Sequence, residues 1–489
     1  MTDSAETAPD RCTPLRRSIY ALLIAVSIGG TVGRIFAVNA VDNIRLEKHL
    51  KDQGRKDWQK QRPFLSSNDR SRWATVRSLV ELGTYQIDEI VSQPNWDTID
   101  MVKHDDQGRA APAPDEGHLY SSKPPLLATL LAGPYWVIHK LTGATLAEHP
   151  FSIGRGLLML FNVLPLIIYF FVLARLVERF GTTDWGRAYV MTCAALGTFL
   201  TTFAVSINNH LSAAVCAAIA LDAALRIWYD GEQRLRWFVV AGFFAAFAVA
   251  NELPALAFAA AVALGLFYKA PWNTLKAFLP AALLVGAAAE GTTYLAHHSW
   301  IPPYAHRKAE DNWYDYQFIR NGKVRDSYWS HPEARSPIDQ GEPDRSIYAF
   351  HALVGHHGIF SLTPIWLFSF LGMGLLCRRR APDWRALGLL LTSVSLVCIA
   401  FYLLRPQDDR NYGGMSSGFR WVFWLAPLWL VAMLPMADVL GARRWSRGLA
   451  LVLLACSVLS VSYPTWNPWV HPWLLDFLAS QQWVRLGIR

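Results

Sequence analysis

The sequence predicts an all-α protein that crosses a membrane many times, and three observations carry the prediction. Of its 489 residues, 52% are hydrophobic and only 17% are charged, with a mean hydropathy of +0.18, too apolar for an ordinary soluble domain of this length. Apolar runs long enough to span a bilayer recur over 19–38, then from 157 to 295, and again from 359 to 461. The charges between these runs are segregated into connectors and a few longer polar segments. Lipid offers no partner for a free backbone N–H or C=O, so each span must be a helix.

Orientation follows from the basic residues. The formal net charge is +8, but Lys and Arg concentrate in short connectors, where the positive-inside rule places them, and this argues against nucleic acid as a partner. The apolar run Ile19–Ala37 follows Arg16 and Arg17 and is long for a cleaved leader, so it is expected to stay as the first span. The run Pro124–Ile138 is short and contains Pro124, Pro125 and Pro134. If it crossed the bilayer, the connectors 175–187, 226–236 and 378–385 would all lie outside. If it lies along the outer interface, they fall inside together with Arg443, Arg444 and Arg447.

The second parity gives about eleven spans. Its parts are a cytoplasmic N-terminus 1–18, a first span 19–38, and an external loop 39–151 carrying surface and interfacial helices. Spans fill 152–296, an external loop covers 297–350, further spans fill 351–463 around an external loop 405–420, and the tail 464–489 is external. The cell (inner) membrane is the expected location, with the chemistry on the external, periplasmic face. All six cysteines, Cys12, Cys193, Cys216, Cys377, Cys398 and Cys456, fall in spans or on the cytoplasmic side, so none would staple an external loop.

Within the first loop, 70–82 reads as a short helix on the membrane surface, with Trp73, Val76, Leu79 and Val80 on one face and Gly83 at its end. The segment 103–117, rich in Asp, Pro and Gly, reads as a mobile loop. Three polar clusters stand out. Ser66-Ser67-Asn68-Asp69-Arg70-Ser71-Arg72-Trp73 sets Asp69 three residues before Arg72, a spacing that would present a carboxylate beside a planar cation; an N-cap aspartate with a solvated arginine is the plainer alternative. Tyr120-Ser121-Ser122-Lys123-Pro124-Pro125 sets a lysine, a compact donor for phosphate oxygens, before the interfacial run; a snorkelling lysine is the alternative. The third cluster, 405–421, combines Arg405, Arg410 and Arg420 with Tyr412 and three glycines, suited to an anion or to lipid headgroups.

The sequence Asp69-Arg70-Ser71-Arg72-Trp73, the helix ending at Gly83, and Tyr120 with Lys123-Pro124-Pro125-Leu126 together resemble the first external loop of C-type (GT-C) membrane glycosyltransferases. The likeness is to the protein O-mannosyltransferases and the lipid A aminoarabinose transferases, and it covers 68–131 best. It implies a GT-C-like fold and transfer of a sugar from a polyprenyl-phosphate donor to an acceptor outside the cytoplasm. Asp69 then matches the catalytic carboxylate, and Arg72, Tyr120 and Lys123 match donor-phosphate ligands. Where the family often carries a second acid this chain has Arg70, a departure that undermines a carboxylate pair or a metal held between two acids.

One carboxylate suffices for such chemistry, because the departing phosphate is already a stable anion. Asp69 would take the acceptor's proton, Arg72 and Lys123 would bind the phosphate more tightly as it gains charge, and the anomeric centre would invert. Arg405, Arg410 or Arg420 would complete the phosphate cage. Asn209, His210, Glu290 and Tyr412 are candidate substrate contacts; for Asn209 and His210 helix capping is the alternative, while Glu290 draws notice as an acid inside a span. No cofactor is identified from the sequence. A divalent metal stays open, but the spacing of His297, His298, His306, His351, His356 and His357 forms no recognised ligand set. The tryptophans and tyrosines of 300–329 and 463–473 read mainly as an aromatic belt, with sugar stacking as the second reading. The partners expected are the lipid-linked sugar, membrane lipids, and a lipid, glycan or protein acceptor. A transporter or flippase of a lipid-linked substrate would instead require charged or broken helices in paired halves, and a non-catalytic scaffold would leave the polar clusters unconverged.

Overall fold

The computed structural model describes residues 13–52, 54, 64–464 and 467–483. The polar start, Cys12 and the end of the tail, 484–489, lie outside the described residues. The chain is an all-α multi-pass membrane protein. Seven helices among the described residues are long and apolar enough to cross a membrane, and three shorter apolar helices, Leu235–Asn251, Leu253–Lys269 and Trp366–Cys377, stand with them. The bundle core is dominated by Ala, Leu, Val and aromatic side chains, and its most enclosed helices are Asn209–Asp230 and the 420–440 segment.

The first helix, α1 (Pro14–Asp52), runs for 39 residues, well past the expected span end at 38. One end of the bundle is tied by ion pairs. Arg16 of α1 meets Glu178 at 3.1 Å and also pairs with Asp184; Arg179 meets Asp230 at 2.6 Å, and Lys269 meets Asp383 at 3.6 Å. Asp222 joins Arg226 at 2.9 Å and Arg175 at 2.6 Å. These pairs join residue 16 and parts of the connectors 175–187, 226–236 and 378–385 at one end of the bundle.

That run forms α4 (Pro125–Thr142), which opens with proline in its first turn, where no N–H is needed, and stops at Gly143 in the left-handed region, φ 71°. It packs against α2 (Ser67–Glu81). Glu81 fixes the pair: it accepts from Arg77 at 2.8 Å, from the Tyr135 hydroxyl at 2.5 Å and from the Leu146 amide at 3.0 Å. Where the sequence gives 70–82 one apolar face, α2 is enclosed on its other faces too, with every residue from Asn68 to Ser78 buried. The other loops cover its polar faces, which a hydropathy pattern confined to one segment does not register.

Between α2 and α4 lie a short helix, α3 (Asp88–Ser92), and an antiparallel hairpin of β1 (Met101–His104) with β2 (His118–Ser121). The segment expected to be a mobile loop is therefore pinned. The Asp105 carboxylate accepts the amides of Gln107 and Arg109 at 2.9 Å each. Lys103 donates its amide to Trp313 O at 2.9 Å and its ammonium to Gln317 O at 2.8 Å, which ties the hairpin to the 298–344 segment. That segment carries two short antiparallel pairings of its own, Arg307–Lys308 with Asp311–Asn312 and Gln317–Arg320 with Lys323–Asp326. The tail contributes a helix, Trp473–Ser480.

Candidate active site

A cavity of about 1000 Å³ opens at the end of the bundle opposite the ion-paired connectors. Its walls differ in chemistry. Ala246, Val249, Leu253, Ala282, Gly286 and Ala289, from apolar helices of the bundle, make one side apolar, while Arg72, Asp100, Lys123, Glu252, Arg405 and Arg420 line the other. Such a site suits an amphiphile with an anionic head.

The polar side is assembled from four stretches of chain. Helix α2 starts at the N-cap Ser66, whose hydroxyl accepts the Asp69 amide at 3.0 Å. Asn68 and Arg72, one turn apart, share its cavity face, and Arg72 donates to Asn68 O at 3.1 Å and to the Asn68 side chain. Strand pairing of Met101 with Ser121 brings Asp100 beside the β2–α4 turn, and the Ser122 amide donates to Asp100 O at 3.1 Å. The Lys123 ammonium then reaches the Asp100 carboxylate at 2.7 Å. Burial lowers the Lys123 pKa, partly offset by Asp100; burial also pushes Arg72 down to about 10, with Arg420 adding to the fall.

Helix Asn209–Asp230 supplies the third stretch. Arg72 donates to Asn209 Oδ1 at 2.9 Å, and Asn209 Nδ2 donates to Glu252 Oε1 at 2.6 Å. Arg420 Nη1 lies 2.9 Å from His210 Nε2. A guanidinium cannot accept, so Nε2 must accept and the ring proton sits on Nδ1, which faces Glu252. Arg420 also donates to Gly413 O at 2.6 Å and lies over the Trp469 ring at 5.1 Å. Gly413 has φ 96°, and a Cβ there would press on the Arg420 side chain at 2.8 Å, so this turn requires glycine. Among the described residues neither Arg72 nor Arg420 has a carboxylate within ion-pair distance.

The cavity thus brings together Arg72, Lys123, Asn209, His210, Glu290, Arg405 and Arg420. Arg405 is held by Asp409 at 2.6 Å. Four of the expected residues do not line it. Asp69 is buried behind α2, where Oδ1 accepts the Trp73 indole N–H and the Ile207 amide, both at 3.0 Å. Tyr120 stacks on His104 at 4.0 Å and reaches only a small crevice that it shares with Arg72 and Lys123. Arg410 donates to Pro343 O at 2.7 Å, and Tyr412 stacks on His357 at 4.6 Å. Arg70, at the position of the family's second acid, donates to Asp97 O and Phe64 O at 2.8 Å each. Among the described residues no group of three His, Cys, Asp or Glu side chains is arranged to hold a metal ion.

Sequence reasoning missed Asp100, Glu252, Asn68 and Asp339, all of which line the cavity. Glu252 carried a usable signal, an acid between two apolar runs. Asp100 carried none, because only the hairpin register joins it to Lys123.

Burial raises the Asp69 pKa from 3.8 to about 7, against the bonds from Ile207 and Trp73 that favour its charged form. A carboxyl whose folded pKa lies above its unfolded value stabilises most below the unfolded pKa, and that stability is lost as pH rises through the folded value. Asp69→Asn keeps an acceptor oxygen and removes the ionisation. Its melting temperature should therefore rise relative to wild type between pH 5 and pH 8 in nanodiscs, and a difference that does not change with pH would refute the assignment.

No protein-family profile matches the chain, and no curated protein matches it. Among solved structures it is similar to the oligosaccharyltransferase of Archaeoglobus fulgidus. The apo form is 12% identical with a TM-score of 0.44, and the match covers 97% of this chain and 59% of that one. The complex with an inhibitory peptide and a dolichol-phosphate is 11% identical with a TM-score of 0.45, over 94% and 57% of the two chains. The chain thus spans less than three fifths of the length of these structures.

Proposed function

We propose that this protein is a GT-C-type glycosyltransferase that moves a sugar from a polyprenyl-phosphate donor to an acceptor at the external face of the membrane, with inversion. The observation that carries the reading is the two-sided cavity: an apolar wall of bundle helices faces Arg72, Lys123 and Arg420. The prenyl chain lies against the apolar wall and the phosphate meets the three cations.

The base is Asp100. At rest its carboxylate is engaged by Lys123. An arriving phosphate competes for that ammonium and frees the carboxylate to accept a proton. The acceptor oxygen then attacks the anomeric carbon, its proton passes to Asp100, and the bond from carbon to phosphate oxygen breaks with its electron pair leaving on the phosphate. Arg72, Lys123 and Arg420 stabilise that growing charge, which accelerates the step rather than merely docking the donor. Asp69 is a positioning residue that ties α2 to the chain at Ile207. The helix pairing at the basic end supports a cytoplasmic N-terminus.

The test is binding of a short-chain polyprenyl phosphate, the donor without its sugar, to the protein in nanodiscs. Wild type should bind saturably, and Arg72→Ala should weaken binding at least about tenfold, in keeping with loss of one charge-assisted bond. Equal binding by both proteins, or none by wild type, would sink the reading.

A further inference from the structure

The donor's head accounts for only part of the cavity. Sites that bury one drug-sized ligand run to about 300–1,000 Å³, and at about 1000 Å³ this one lies at the top of that range. A further part of the lining comes from the 298–344 segment and the tail, and it is rich in aromatic rings. Tyr304, Tyr314, Trp329 and Asp339 face the space from the segment, with Asn467 and Trp469 from the tail.

These rings are held in place. The Trp329 indole donates to Ile99 O at 2.8 Å. The Arg307 guanidinium lies 3.9 Å from the Tyr314 ring centroid and 5.8 Å from that of Trp329, so this arginine is engaged by aromatic faces. Asp339 accepts from Tyr328 and Ser336 at 2.8 Å each. The hairpin tie through Lys103 and Trp313 anchors the segment over the cavity.

Flat rings beside a carboxylate and an amide match a sugar, whose C–H face stacks on aromatic surface while its hydroxyls need acceptors and donors at the rim. A peptide acceptor would call for an exposed strand edge to pair with. The longer hairpin of the segment, Gln317–Arg320 with Lys323–Asp326, contributes no residue to the cavity lining. A lipid tail would call for the apolar wall, which lies on the other side. We propose that Tyr304, Tyr314, Trp329, Asp339 and Trp469 form the acceptor subsite and that the acceptor is a carbohydrate. This rests on the transferase reading, and it assigns a task to the aromatic stretches otherwise accounted for as a membrane belt.

The experiment is photo-crosslinking in the full chain, in membranes of the cells that make it. Trp329, or in a second variant the exposed Tyr304, is replaced by p-benzoylphenylalanine, and the peptide carrying the probe is examined by mass spectrometry. An adduct that fragments in sugar-residue steps at either position is the expected result. An adduct of amino acids or of lipid at both positions, or none at either, overturns the proposal. A third variant with the probe at Ala289, on the apolar wall, separates the two readings: capture of a polyprenyl phosphate there keeps the transferase reading whatever happens at 329 and 304, and its absence counts against that reading alone.

Discussion

Asp100→Asn should reduce sugar transfer about 10²- to 10⁴-fold, the usual contribution of a positioned general base, while polyprenyl-phosphate binding stays within a few-fold of wild type. The amide keeps the shape of the carboxylate and can still accept from Lys123 but takes no proton. Asp69→Asn, by contrast, should keep most of its activity, because an amide oxygen can still accept the Trp73 and Ile207 bonds made by Asp69 Oδ1. The two variants are compared by single-turnover transfer from a polyprenyl-phosphate sugar in nanodiscs, with melting temperature as the check on folding. Near-normal turnover by Asp100→Asn, or loss of turnover only in Asp69→Asn, would return the base to position 69.

The contrast also shows what was legible in the sequence. The spans were legible because lipid forces one secondary structure and one composition on every crossing segment. The short run at Pro124 was legible as a helix, α4, although its prolines shorten the apolar stretch. The face of α2 that meets the cavity was harder to read. Three-residue spacing suggested that Asp69 and Arg72 act side by side, yet the helix places Asn68 with Arg72 and Asp69 with Trp73, both pairs four apart. A single helix does not reveal which of its faces the rest of the chain will cover. Asp100 was illegible for a different reason: its partnership with Lys123 exists only after β1 and β2 find their register. Lys123 and Arg420 are typed by charge and surroundings alone, so their arrival at the cavity needed no such pairing to be suspected.

Glu252→Gln should cost about 10²-fold in transfer, comparable to losing one transition-state donor, although Glu252 bonds directly to neither Arg72 nor Arg420. Its carboxylate takes donors from Asn209, His210 and Tyr402, the first at 2.6 Å and the last at 3.2 Å. Asn209 and His210 in turn present acceptors to Arg72 and Arg420. One carboxylate therefore fixes two guanidinium groups through two consecutive residues, and because it pairs with neither directly, both charges remain available to a phosphate. Glutamine would offer its N–H₂ either to the Tyr402 hydroxyl, which can accept it, or to the side where Asn209 and His210 both donate. In the second arrangement the Asn209 amide turns to pair with it and aims its own N–H₂ at Arg72, which leaves no acceptor for the guanidinium. The effect should pass through the arginine. Adding Arg72→Ala to Glu252→Gln should lower kcat/KM only a few-fold beyond Arg72→Ala alone, as expected for residues that act as a unit. Multiplicative losses in the double variant, with unchanged melting temperatures, would show that Glu252 acts independently of Arg72 and would break the link from Glu252 to the phosphate site.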